Sequence, residues 1–372
     1  MARIFHDGFE LGRPARTNAS GQYINSLWLN VHGSWHGSQG SMGVEPGGKS
    51  GEYRLQGHTV GAVNRIYSMR RDLGANLIEH YGRAEFRVES GATATTMVIF
   101  FLDDAEADVC HIRVTNISGL LTIHLYRQST EIASLAAAFS TGTWVRLEWH
   151  LVIDDVSGIF ELKRNGDEIL SFSGDTKGTS SGNGVRWFCL GRNYATSNDS
   201  EIWYDDVAIN DTTGTANNAW PGPGSILLLK PKGAGNYTQW TPDSGNNFAR
   251  VNEIPETGDT AYVESDTADQ IDTYEMQELA ADLGVDVLAE GFEIKAVQHV
   301  MIGRWEEGET ELARVLRLGA ADHAGTPIEI SNAYYRYWDE MFNVNPFDSQ
   351  PWEVADLNNL EAGIKHITWS GP

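Results

Sequence analysis

From Met1 to about Asn210 the sequence alternates apolar and polar residues with a period of two, and no stretch shows a convincing period of 3.6. That feature constrains the fold most, because a period of two places successive side chains on opposite faces of a strand. The clearest case runs from Val145 to Ile153. Val145, Leu147, Trp149, Leu151 and Ile153 share one face, and Arg146, Glu148 and His150 share the other. Ile159 to Arg164 and Glu168 to Phe172 flank Asn165-Gly166, two residues that readily take positive φ, so a tight hairpin is expected there. Ala84 to Glu89, Met97 to Leu102, Cys110 to Val114, Leu120 to Tyr126, Val185 to Leu190 and Glu201 to Ile209 read as further strands between Gly, Ser, Asn and Asp clusters. Many short strands with turns between them mean a sandwich or a barrel.

A polar run from Asn210 to Asn218 follows, and Trp220-Pro221-Gly222-Pro223-Gly224 stiffens its end. The expected organisation is a β-sandwich over residues 1-210, a linker over 211-224, and a smaller β-rich domain over 225-372. In the last, strands are expected at Ser225 to Leu229, Ala261 to Glu264, Phe292 to Ile302, Leu312 to Leu318 and Ile328 to Trp338. A weak helical pattern covers Tyr274 to Leu288. A better one covers Trp352 to Ile367, with Val354, Leu357, Leu360 and Ile364 at helical spacing and Pro351 suited to the first turn. The fold class expected is mainly β, ending in a helix.

The net charge is −24, with 51 Asp and Glu against 27 Lys and Arg. Such a surface repels phosphate backbones and anionic bilayers, which argues against nucleic-acid and membrane partners. The N-terminus has no basic stretch followed by an apolar run, so no secretory signal is expected. Cys110 and Cys189 sit in apolar strand-like runs and are expected as buried thiols, although sequence leaves a bridge open.

Several constellations could carry chemistry. Glu106-Ala107-Asp108-Val109-Cys110-His111 resembles the Glu-x-Asp-x-x-Glu strand of laminarinase-like glycosidases, but His111 replaces the third carboxylate and Glu106 lies in an acidic loop-like run. Catalysis is therefore not expected there. No nucleophilic serine elbow is expected. His32 and His36 fall in a Gly/Ser-rich stretch read as loop, not a zinc helix. The pairs Asp103-Asp104, Asp154-Asp155 and Asp205-Asp206 lie at strand ends, where calcium is the cation such oxygens could hold; Asp205 and Asp206 are the metal candidates. Otherwise no cofactor is expected. Trp35, Tyr53, Tyr194 and Trp203 are the candidates for stacking on sugar rings. Tyr334-Tyr335-Arg336-Tyr337-Trp338 puts aromatics on both faces of one strand, which fits a protein interface or plain core.

Two stretches carry a resemblance. Phe5-His6-Asp7-Gly8-Phe9-Glu10 and Ile202-Trp203-Tyr204-Asp205-Asp206-Val207-Ala208-Ile209-Asn210, with Thr143-Trp144-Val145-Arg146-Leu147-Glu148, resemble concanavalin A-like, LamG-type jelly-roll domains. In such domains the chain ends lie on neighbouring strands. Tyr237 to Pro242, Asn252 to Pro255, Asp259 to Val263 and Asn345 to Trp352 are similar to minor virion proteins of tailed bacteriophages. The resemblance implies a virion component without enzymatic activity, in contact with other virion proteins and forming a homo-oligomer, a trimer by the habit of virion appendages. It also implies a lectin-like domain that faces outward toward host surface glycans, while the C-terminal domain docks or oligomerises. A carbohydrate-binding module or a glycoside hydrolase of the concanavalin A-like superfamily is the alternative.

Overall fold

In the computed structural model, residues 3–11, 16–17, 23–24, 29–32, 40–59, 67–192, 200–305, 309–330 and 335–370 are described. The chain divides into two compact units between Leu227 and Leu228, with residues 15–27 grouped with the second.

The first unit is a two-layer antiparallel sandwich of jelly-roll type. One sheet has eight strands. Its path runs Asp167–Gly174, Gly158–Arg164, Val145–Val152, Glu79–Gly91, Ser200–Asp211, Tyr53–Thr59 and Gly40–Pro46, and Arg3–Asp7 pairs alongside Ser200–Asp211. The N-terminal strand thus lies beside the strand that closes the domain, as expected. The other sheet orders Thr130–Ser140, Leu120–Arg127, Asp108–Ile117, Thr96–Leu102, Val185–Arg192, Tyr67–Leu77 and Leu29–His32.

Alternation in the sequence becomes the core between the sheets. Val145, Leu147, Trp149 and Leu151 are buried. Trp149 stacks on Phe188, with ring centres 5.4 Å apart, and tilts against Phe101 at 5.8 Å. Gly82 lies opposite Trp149 in the neighbouring strand, and a Cβ there would meet the indole at 2.1 Å. Only a glycine lets the large ring lie that close to the backbone. The hairpin at Asn165-Gly166 forms with φ of 54° and 100°, the positive pair a two-residue turn requires. Both cysteines are free and buried.

The segment expected as a linker lies along the sandwich. Asn210 Nδ2 donates to the Ala219 carbonyl (2.7 Å), the Gly222 amide donates to Glu148 Oε1 (2.8 Å), and Arg83 donates to the Gly222 carbonyl (2.9 Å). Trp220 meets Tyr81 and His150 edge-on, and the Lys163 ammonium sits 3.8 Å from the centre of its ring. This strap explains why Glu148 and His150, on the polar face of their strand, are buried.

The second unit holds a six-stranded sheet ordered Pro231–Thr238, Ile271–Met276, Leu360–Ser370, Glu309–Leu318 and Ala321–Ala324, with Ile328–Ile330 pairing to Glu309–Leu318. Ser225 to Leu229 is not a strand; the next strand starts at Pro231. The weak helical pattern at Tyr274 begins as the strand Ile271–Met276 and continues in turns. The better predicted helix is real only over Val354–Asn358, capped by Glu353 and Asp356. From Leu360 the chain is a strand, because both of its edges find partners in the middle of the sheet. Gly363 fits that position: a Cβ would meet the Asp272 carbonyl oxygen at 1.9 Å. Tertiary pairing overrides a helical apolar pattern here.

Candidate functional site

Trp35 and Tyr194 lie outside the described residues, as do Tyr334 and His36. Trp203 is on the outward side of the eight-stranded sheet. The guanidinium carbons of Arg54 and Arg87 stand 3.7 Å and 4.3 Å from its ring centre, and its Nε1 donates to Glu201. Trp144 tilts against it at 6.1 Å. The indole expected to stack on a sugar is therefore stacked by the protein's own arginines. Tyr53 is half-buried, and its amide donates to Glu10 Oε1 (3.2 Å).

Asp205 and Asp206 form a buried clasp. Asp205 Oδ2 accepts the Lys49 and Ser50 amides (2.6 and 3.1 Å), and its Oδ1 accepts the Asp206 amide. Asp206 Oδ1 accepts the Ile226 amide at 2.6 Å, which ties down the end of the strap. Glu10 accepts the Glu52 and Tyr53 amides nearby. Burial raises Glu10 to about 7 and Asp205 to about 8, and it raises Asp206 as well. Among the described residues no group of three or more His, Cys, Asp or Glu side chains stands together to hold a metal ion. The other acidic pairs are turn caps. Asp103 Oδ1 accepts the Ala105 and Ala107 amides, and Asp154 Oδ1 accepts those of Val156 and Ser157. Glu106, in left-handed backbone at φ 60°, pairs with Arg70 at 2.6 Å. It is held in a turn, not aimed from a strand as glycosidase chemistry would need.

The aromatic strand Arg336–Phe342 works inside the second unit, where it pairs with Val297–Gly303. Tyr337 is buried and donates to Glu256, and Trp338 packs on a cluster of Trp240, Met301, Leu312 and Ile330. Tyr335 donates to Asp259, and burial lowers the Arg336 pKa from its ordinary value. Core use thus accounts for Tyr337 and Trp338, two of the five residues for which an interface or plain core was expected.

A second packed layer went unread in the sequence; within it Cys189, Phe100 and His111 are buried, and solvent is reached only toward Tyr126 and Glu131. On the side of the seven-stranded sheet away from the core, Arg70, Cys189, Phe100, His111, Tyr126 and Glu131 fall in one register row across six strands. At about 4.8 Å per strand the row spans roughly 24 Å. Met97, Phe100, Leu102 and Cys189 form a second apolar cluster there, with Trp187 packed against it. His111 stacks on Tyr126 (5.1 Å, 12°), and the Arg113 guanidinium carbon lies 4.1 Å from the centre of the Tyr126 ring. Arg113 Nε donates to His111 Nε2 (2.8 Å), while His111 Nδ1 meets Asp108 (2.9 Å). Both ring nitrogens are occupied, and burial holds His111 below its ordinary pKa, so the ring is neutral. Glu131 accepts from Tyr126 and contacts His124, which reaches Thr115. Nothing in the sequence marked which strands are neighbours, and only the pairing assembles the row.

No protein-family model matches the chain, and no curated protein sequence matches it. Among solved structures it is similar to the cellulose induced protein Cip1, at 17% identity over 59% of this chain and 100% of that one, with a TM-score of 0.38. It is also similar to the conserved carbohydrate esterase of Shiga toxin-encoding bacteriophage phi24B, at 12% identity, 54% and 97% coverage, and a TM-score of 0.36. A third is domain 4 of AbnA, an extracellular arabinanase of Geobacillus stearothermophilus, at 15% identity, 55% and 94% coverage, and a TM-score of 0.33. The jelly-roll assignment rests on the two facing antiparallel sheets themselves.

Proposed function

We propose that this chain is a non-enzymatic virion component of a tailed bacteriophage whose sandwich contacts surface glycans through the outward face of the seven-stranded sheet. The observation that carries the glycan reading is the solvent-reaching end of the register row, where half-buried Arg113, His124 and Tyr126 and exposed Glu131 set a ring among hydrogen-bonding side chains. The non-catalytic reading is supported by occupied groups. His111 has no free ring nitrogen for a proton transfer, and Glu106 is committed to Arg70. The virion reading rests on the resemblance of the second unit's motifs, from Tyr237 to Pro242 and from Asn345 to Trp352, to minor virion proteins of tailed bacteriophages. In this reading the second unit docks to other virion proteins or trimerises. The full chain, incubated with a panel of polysaccharides, should bind some and cleave none. Release of reducing or unsaturated ends would sink the non-enzymatic reading, and a monomer by light scattering at working concentrations would sink the trimer.

A further inference from the structure

The Tyr126 ring has one face occupied and one that looks toward the edge of its sheet. His111 stacks on it at 5.1 Å, and the Arg113 guanidinium carbon lies 4.1 Å from its centre. Arg113 Nε donates to His111 Nε2 at 2.8 Å, so the guanidinium and the imidazole lie side by side. Groups on opposite faces of a ring stand about 7 Å apart, at roughly 3.5 Å on each side, and that hydrogen bond does not span such a gap. Both groups therefore cover the same face. His111 and Tyr126 are partners on neighbouring strands, and their separation is close to the strand spacing of about 4.8 Å. The stacked face thus looks toward Asp108–Ile117, and the other looks toward Thr130–Ser140, the last strand of the sheet. Among the described residues no second ring stacks on Tyr126 and no second cation lies over it. His124 only tilts against it, at 6.4 Å and 51°.

Glu131 stands opposite Tyr126 on that last strand and is exposed to solvent. Its Oε2 accepts from the Tyr126 hydroxyl and from His124 Nδ1, each at 3.1 Å. Hydrogen bonds from Ser134, then from Tyr126 and His124, hold its carboxyl below the usual range, so it is ionised. A carboxylate has about four acceptor positions and no donor. Three protein donors fix it and leave capacity for a hydroxyl from outside.

Resting on the glycan reading above, we propose that the edge-facing side of Tyr126 and the Glu131 carboxylate form a subsite for a neutral sugar. The C–H face of the sugar ring packs on the phenol, and a sugar hydroxyl donates to Glu131. The carboxylate or sulfate of an acidic sugar offers only acceptors at that position and is repelled by the fixed negative charge. The net charge of −24 acts in the same sense at long range.

The test has two steps, both with the full chain. A panel of neutral, uronate, sulfated and amino-sugar polysaccharides is screened first. Calorimetric titration then compares a hexose oligosaccharide from the best neutral binder with the same oligosaccharide after its primary hydroxyls are oxidised to carboxylates. Wild type should prefer the neutral class and bind the neutral oligosaccharide about tenfold or more tightly than its oxidised form. Glu131→Gln keeps the shape and removes the charge. It should weaken the neutral form by roughly tenfold and bring the two affinities within about threefold of each other, whereas a merely structural Glu131 would leave their ratio as in wild type. Tyr126→Leu should weaken both forms by about threefold to tenfold through loss of the ring face. Unchanged thermal midpoints would show that the variants fold. Preference for a charged glycan, equal binding of the two forms by wild type, or a wild-type ratio in Glu131→Gln would overturn the subsite and leave the glycan reading standing. No binding to any member of the panel would overturn both.

Discussion

Replacing Asp205 with Asn should flatten the alkaline limb of the protein's stability profile. Burial lifts the Asp205 carboxyl from its ordinary 3.8 to about 8, beside Asp206. The folded state then holds a proton that the unfolded chain has already released. Stability from this group is fully present below about pH 3.8 and is lost as pH rises toward about 8. His6 and His80, lowered by burial to about 3, act in the opposite sense, since the unfolded chain binds their protons below 6.5. Above pH 6.5 their contribution is level, so the window from 6.5 to 8 isolates the carboxylates. Across it, one proton at about 1.36 kcal/mol per pH unit amounts to about 2 kcal/mol, or roughly 4–8 °C in the melting midpoint of a domain this size. Glu10, lifted to about 7, adds to the fall only up to that pH, and its half-buried position weakens the effect. The assay is thermal unfolding followed by near-ultraviolet circular dichroism every half pH unit from 6.5 to 9, in a chelator. Wild type should lose stability up to about pH 8 and then level off, and Asp205→Asn should show a much shallower slope whatever its absolute stability. A wild-type profile that rises through this window, or an equal slope in the variant, would refute the reasoning. In a parallel series with calcium in place of the chelator, a rise in stability above pH 8 would show the carboxylates acting as cation ligands instead of as a clasp.

Other consequences follow from the packing. Gly82→Ala drives a methyl to 2.1 Å from Trp149 and should cost at least about 1–3 kcal/mol in urea unfolding; a neutral result would show that the indole can shift. Cys110 and Cys189 are buried, and burial raises both thiols well above their ordinary pKa, so neither should react with a thiol reagent at pH 8 until the protein is denatured. Trp220→Ala removes the ring that Lys163, Tyr81 and His150 engage. It should cost about 1–2 kcal/mol and open residues 211–227 to protease, whereas an unchanged digestion pattern would mean the backbone bonds alone hold the strap.

The first unit was legible because both the period of two and the turn chemistry are local. Val145 to Ile153 and Asn165-Gly166 took the structures their residues favour. Where long-range pairing decides, the sequence misled. Leu360 and Ile364 satisfy a helical spacing, yet the sheet offers partners on both edges and the strand wins. The strap was misread because Pro and Gly mark a break in regular structure without saying whether the chain leaves the surface or lies along it. Trp203 looked available because a sequence does not show that Arg54, from a distant segment, comes to rest on its ring. The row of Arg70, His111, Tyr126 and Glu131 draws on four separate strands, so only their register reveals it.

The most direct test of the glycan claim is a glycan array probed with the full chain and with Tyr126→Ala, whose ring lies at the centre of the His111, Arg113 and Glu131 contacts. The account predicts selective binding by wild type and its loss, at an unchanged fold, in the variant. Retained binding in the variant, or no glycan bound by wild type, would contradict it.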